Sequence, residues 1–254
     1  MPKHEASGVV RAVSALNDLL ATSAPPGPAI FPTYWIINFQ KGGSLFFCLW
    51  LMHRYQNYSA PALMYTVAHG SYGMLWLLKH VTFPDPKWNV KQTFMSVIVA
   101  ISLVLGPYWV APYILISRSC PEPTVERCAV GLFVYIIGVS IMLISDVWKH
   151  VQLENKKGLI TAGPFALVRH PNYSGEMMVY SGFAAMVPHW IPWAILAYIW
   201  TQLFLVNMLV KEARMSRHKG WDAYYGRTGM IMPWFFGLWW RRLCGFDEGN
   251  TKKD

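Results

Sequence analysis

Charge is the scarcest ingredient of this chain. Only 14% of its 254 residues are Asp, Glu, Lys or Arg, where a soluble domain carries about 25%. By contrast 54% are hydrophobic and 15% aromatic. That balance excludes an ordinary water-facing surface and points to an all-α, polytopic membrane protein. Acidic residues are fewest, 13 against 22 Lys+Arg, giving a net charge of +9. The basic residues lie in short loops between apolar runs and no nucleic-acid-binding motif accompanies them, so no nucleic acid is expected as a partner. Cysteine is sparse as well. Cys48, Cys120, Cys128 and Cys244 form no CxxC pair, and Cys120 and Cys128 are placed to meet across a loop only if the fold brings them together. HExxH and Cys/His ligand spacings are missing, so no metal is expected. Residues 1–29 hold no continuous apolar core of signal-peptide length. Val9, Val10, Val13, Leu16, Leu19 and Leu20 instead follow near-helical spacing, which suits an interfacial helix on the membrane or on a partner.

What the chain does have is long hydrophobic runs. A span needs about 20 apolar residues, and six candidates fall at 30–52, 60–83, 93–117, 128–148, 175–188 and 189–210. Only Pro188, His189 and Trp190 separate the last two, which therefore read as a helical hairpin. The first span contains Gln40, Lys41, Gly42 and Gly43, so it is bent or closely packed. Pro107 and Pro112 should kink or break the third. Asp146 and Lys149, ending the fourth, should face the membrane surface or a cavity.

Alternating six spans collects 18 of the 22 Lys+Arg on one face, counting Lys79, with Arg54, Arg118 and Arg127 opposite and Lys41 inside a span. This positive-inside pattern puts both termini on the cytosolic or matrix side. The expected membrane is the endoplasmic reticulum or mitochondrial inner membrane in a eukaryote, and the plasma membrane in a bacterium. Lys79 sits one turn ahead of its loop and would have to snorkel.

Two polar clusters share that face. The first, Arg169–His170–Pro171–Asn172–Tyr173–Ser174–Gly175–Glu176, is wedged between apolar segments. Polar groups in such a place are functional candidates by default. Arg and His suit phosphate or carboxylate, Asn an amide edge, Tyr a stacked ring. The second runs from Lys211–Glu212–Ala213–Arg214 through His218 to Trp221–Asp222–Ala223–Tyr224–Tyr225–Gly226–Arg227–Thr228. Lys211, Arg214 and His218 have the spacing of one helix face. Taken alone it also suits basic residues touching lipid headgroups, but the hairpin returns it beside the first.

These motifs, with Pro233–Trp234, resemble the C-terminal domain of the steroid 5-alpha-reductase-like superfamily, over about residues 145–236. That superfamily includes sterol reductases and an uncharacterised bacterial and protist branch to which this chain looks closest; the isoprenylcysteine carboxyl methyltransferases share the architecture. The resemblance implies an interfacial cofactor pocket holding NADPH. Asn172 and Glu176 would meet the nicotinamide amide, and Arg169, His170 and Tyr173 would line the cavity. Lys211, Arg214, His218 and Tyr225 would lie near phosphates and adenosine. In the methyltransferase branch the same cavity holds S-adenosylmethionine. The acid after Gly175 and the basic helix favour NADPH, because its phosphates call for positive charge and a sulfonium does not.

The resemblance divides the chain into an interfacial segment 1–29, a substrate-side membrane unit 30–144, a cofactor-binding domain 145–236 and an interfacial tail 237–254. A reductase of this kind moves hydride to a double bond while a protein acid supplies a proton. Tyr65, His69 and Tyr72, at i, i+4 and i+7, share one face of the second span and are the candidate acids; the same stripe also fits an interhelical hydrogen-bond network. The Glu–Tyr pair of animal steroid reductases has no clear counterpart here, which counts against a steroid. The leading expectation is NADPH-dependent reduction of a lipid, sterol or isoprenoid double bond. The alternatives are S-adenosylmethionine-dependent methyl transfer, and an accessory subunit of a larger membrane complex whose partners contact both termini.

Overall fold

The computed structural model describes residues 6–22, 26–155 and 158–233. The expected interfacial tail, 237–254, lies outside the described residues. The chain is mostly helical. Its elements, in order, are α1 (Gly8–Thr22), β1 (Ala29–Pro32), α2 (Thr33–Tyr55), α3 (Ala60–Thr82), β2 (Lys91–Thr93), α4 (Phe94–Ile116), α5 (Val125–Asn155), α6 (Pro171–Met186), α7 (Ile191–Met215) and α8 (Trp221–Arg227).

Helices α2 to α7 occupy the six expected segments. Three of them, α4, α5 and α7, are long and apolar enough to cross a membrane. The other three fall short for visible reasons. Polar side chains such as Gln40 and Lys41 dilute α2, and His69, Lys79 and His80 dilute α3, while α6 has only 16 residues. Helix α2 also starts later than the first expected span, because Ala29–Pro32 pairs antiparallel with Lys91–Thr93 and ties the start of α2 to that of α4.

Local chemistry explains the boundaries. Gln56 turns left-handed (φ 48°) and closes α2 through its N–H to the His53 carbonyl. Pro61 opens α3 and Pro171 opens α6, in first-turn positions where a missing N–H is harmless. Thr93 caps α4 by accepting from the Ser96 N–H at 3.2 Å. The prolines of α4 do not break it. A π-turn at Ile101–Leu105 and a tight turn at Gly106–Trp109 absorb Pro107 instead.

Two glycine pairs fasten the centre. A Cβ on Gly138 would lie 2.8 Å from the Gly175 carbonyl oxygen, and one on Gly175 would lie 2.6 Å from that of Gly138. Seven residues along each helix, Gly131 and Gly182 repeat the arrangement at 2.8 and 2.6 Å. Helices α5 and α6 therefore touch backbone to backbone, the close approach that small residues permit inside membranes. Around them sits a core of Tyr65, Tyr72, Tyr108, Tyr135, Val179, Tyr180 and Phe183.

Candidate functional site

The two polar clusters do meet. Arg169, just before α6, sends Nε to Glu212 Oε1 on α7 at 2.6 Å. Its Nη1 reaches the backbone carbonyls of Thr228 and of Tyr225, the latter at 3.4 Å. The guanidinium also lies under the Tyr225 ring, 4.3 Å from its centroid. Segment 228–231 runs beside 167–170 as a short ribbon: Arg169 N–H donates to Gly229 at 2.9 Å and His170 N–H to Met230 at 3.0 Å. Ser174 Oγ closes it onto the Ile231 carbonyl at 2.6 Å. Arg169 and Glu212 are both buried, so this is a clasp joining three chain segments.

His170 is buried beside the clasp. Its Nε2 is 3.4 Å from Glu212 Oε1 and, among the described residues, makes no hydrogen bond. Burial holds its imidazole below the ordinary value, against the pull of Glu212. Below the clasp, Tyr224 is buried with its hydroxyl donating to the Phe165 carbonyl at 2.8 Å, and burial pushes that phenol up to about 12.

Next to the clasp, Lys211 Nζ donates to Tyr173 OH at 2.9 Å. Lys87 and Lys149 stand close enough to repel its charge, with Asp85 and Asp146 opposing them. Asn172 is half-buried and, among the described residues, its side chain makes no hydrogen bond. Arg214 is exposed. The single basic helix face expected for Lys211, Arg214 and His218 needs correction: α7 ends at Met215, and His218 lies exposed in the turn that leads to Gly220. Gly220 sits at φ 88°, a left-handed conformation that stops the helix before α8 begins.

A second polar group lies deeper. Lys41, about 12 Å along α2 from its start at 1.5 Å per residue, is only 4% exposed. Its Nζ donates to Tyr72 OH at 3.1 Å and to Tyr180 OH. The rings of Tyr72, Trp76, Tyr108 and Tyr180 surround it at 4.5, 5.2, 5.5 and 4.9 Å from their centroids. Tyr72 OH in turn donates to Glu176 Oε1 at 3.4 Å. A hydrogen-bonded line thus runs from Glu176, in the first cluster, to Lys41 and Tyr180 in the core. An ammonium only donates, so both phenol oxygens accept from Lys41 and the Tyr72 proton is left for Glu176.

Tyr65, His69 and Tyr72 do line one buried face of α3, and Phe183 of α6 packs against all three rings. Tyr72 is the member that reaches the first cluster. Tyr65 OH and His69 Nδ1 lie deeper and, among the described residues, have no hydrogen-bond partner. A cavity of about 20 Å³, lined in part by Tyr65, Tyr108 and Tyr180, adjoins them.

Lys79 pairs with Asp146 on α5, which neutralises its charge within the protein. Cys120 and Cys128 are free thiols. The residues that sequence reasoning missed are Lys41, Tyr108 and Tyr180. Lys41 carried a readable signal, a cation inside an apolar run; the tyrosines carried none.

A family model described as a protein of unknown function (DUF1295) matches residues 81–228. That range takes in both polar clusters and leaves Lys41, Tyr65, His69 and Tyr72 outside it. One curated relative, uncharacterized protein C7D4.09c of Schizosaccharomyces pombe, is 27% identical over 79 residues, which cover 28% of this chain and 29% of the yeast protein. The similarity thus spans well under half the length of that relative.

Proposed function

The chain belongs to the DUF1295 family, within the steroid 5-alpha-reductase-like superfamily, and we propose that it is an NADPH-dependent integral-membrane reductase of a lipid, sterol or isoprenoid carbon–carbon double bond. The observation that carries this reading is the buried line Glu176–Tyr72–Lys41–Tyr180. It links the motif that the superfamily uses for its nicotinamide to a phenol proton inside the apolar core, where a double bond would sit.

The donor set fits a dinucleotide. Lys87, Lys149 and Lys211 gather positive charge at one place, with Arg214 exposed on the helix three residues beyond Lys211, as a pyrophosphate and a 2′-phosphate require. Asn172, unpaired among the described residues, and Glu176 offer an acceptor and donors for an amide. Arg169 is engaged by Glu212 and two carbonyls, so its part is to hold the wall of this site. When bound, NADPH supplies the hydride. Tyr72 holds the proton at its hydroxyl, Lys41 fixes that oxygen from the other side, and Tyr65 with His69 faces the substrate. Tyr108, Tyr180 and Phe183 exclude water from the proton.

Native mass spectrometry of the purified protein tests this, with NADPH, NADH and S-adenosylmethionine offered in competition. NADPH is the expected adduct, weakened about tenfold by Asn172→Ala for the loss of one hydrogen bond. Retention of S-adenosylmethionine in its place would make the chain a methyltransferase. Binding of neither, with membrane subunits co-purifying, would assign it an accessory role.

A further inference from the structure

Helix α1 takes no part in the site, yet it packs across both α4 and α7. Helices α4 and α7 touch through the Gly106–Ile116 part of α4 and the Ile191–Ile199 part of α7. Toward the clasp, α1 packs against both: against Phe94–Ala100 of α4 and Val206–Met215 of α7. Its Val10, Val13, Asn17 and Leu20, at helical spacing, are half-buried, while Val9, Leu16 and Leu19 on the other side are exposed. Asn17 Nδ2 donates to the Gln202 carbonyl at 2.8 Å. Gln202 lies in the π-turn Trp200–Leu205, where a widened ladder leaves a carbonyl open to an outside donor. Two residues further on in that turn, Phe204 stands edge-on to Tyr173 at 5.1 Å, and Tyr173 is the residue that Lys211 holds.

The geometry points to α1 as a displaceable plug in a lateral portal between α4 and α7, with a lipid hydrocarbon chain as the occupant that replaces it. Both walls belong to helices apolar enough to span a membrane, so what enters when α1 leaves comes from the bilayer. The side chains α1 withdraws are themselves aliphatic, Val10, Val13 and Leu20, and a hydrocarbon chain satisfies the same surface. Among the elements of this chain α1 is weakly held, since none of its residues is fully buried, and elements with little buried surface open first. The portal leads past Phe204 to Tyr173. It serves any membrane-borne substrate and does not depend on the reductase reading.

The test uses the full-length protein in phosphatidylcholine nanodiscs doped with a phospholipid that carries a diazirine at the end of one acyl chain. Photolysis and peptide mapping then measure the label on residues 200–211. Asn17→Ala removes the hydrogen bond to the Gln202 carbonyl and Val13→Asp sets a charge against the apolar seat, whereas Leu16→Asn changes only the exposed side. Labelling of 200–211 should rise about three- to tenfold in the first two variants, the range set by one neutral hydrogen bond, and stay at the wild-type level in the third. Equal labelling in all four proteins, with unchanged melting temperatures, overturns the proposal. Should Asn17→Ala and Val13→Asp fail to fold, hydrogen exchange of the wild-type chain decides: residues 8–22 should exchange at least about tenfold faster than α4 and α7, and equal protection overturns it.

Discussion

Replacing Arg169 by Ala separates a structural clasp from a ligand contact. In the folded chain Arg169 is 6% exposed and Glu212 is 7% exposed, joined at 2.6 Å. Removing the guanidinium strands a buried carboxylate together with the carbonyls of Tyr225 and Thr228. Breaking a buried pair costs about 3–5 kcal/mol. The lower end applies here, because His170 remains 3.4 Å from the carboxylate and the outer carbonyls can rehydrate. About 3 kcal/mol lowers the melting temperature of a chain of this size by roughly 6–12 °C. The assay is tryptophan-fluorescence unfolding in detergent with no nucleotide present. Arg169→Met/Glu212→Leu, which removes both charges and keeps volume, should lose less than either single change, the signature of a coupled pair. If Arg169→Ala unfolds within about 1 °C of the wild type and loses only nucleotide binding, the clasp reasoning is refuted and the guanidinium is a ligand group.

Three further outcomes follow from the same structure. Gly138→Val or Gly175→Val forces a side chain into a facing carbonyl that lies under 3 Å from the Cβ position, so each should destabilise by about 1–3 kcal/mol or more, while Gly226→Ala, where a Cβ meets nothing within 4 Å, should leave the melting temperature unchanged. His170 is held neutral by burial, its folded value lying below the ordinary one; its stabilising share is therefore complete above about pH 6.5 and is lost as pH falls through and below that range. A His170→Gln chain should show a flatter melting-temperature profile between about pH 7 and 5, and equal slopes would disprove the assignment. Lys41→Met fits the aromatic cage without a charge and should preserve or raise the melting temperature while lowering substrate reduction at unchanged NADPH affinity; a loss of NADPH affinity of the same size would move Lys41 from proton positioning to cofactor binding.

Much was legible along the chain because it depends on neighbours in sequence. Apolar run length marked six helical segments, since such a run is a property of neighbours along the chain. The meeting of the two clusters was also legible, because a short hairpin leaves the chain little choice about where it returns. The end of α7 at Met215 was readable in principle from Gly220, yet the charge spacing through His218 suggested a longer helix. The two glycine pairs repeat at seven residues in both α5 and α6, a pattern that becomes a close contact only once the helices are known to pack.

The sequence by itself determined a mostly helical chain with helices long and apolar enough to cross a membrane, because hydrophobic run length is a property of the chain alone. Tertiary structure decided what each polar group does with its hydrogen bonds. Arg169 could have met a phosphate or Glu212, 43 residues away, and nothing local favours either. Lys41 sits in a cage drawn from three other helices. Its charge is tolerable there only because those distant rings and hydroxyls converge on it, and that convergence is a property of packing.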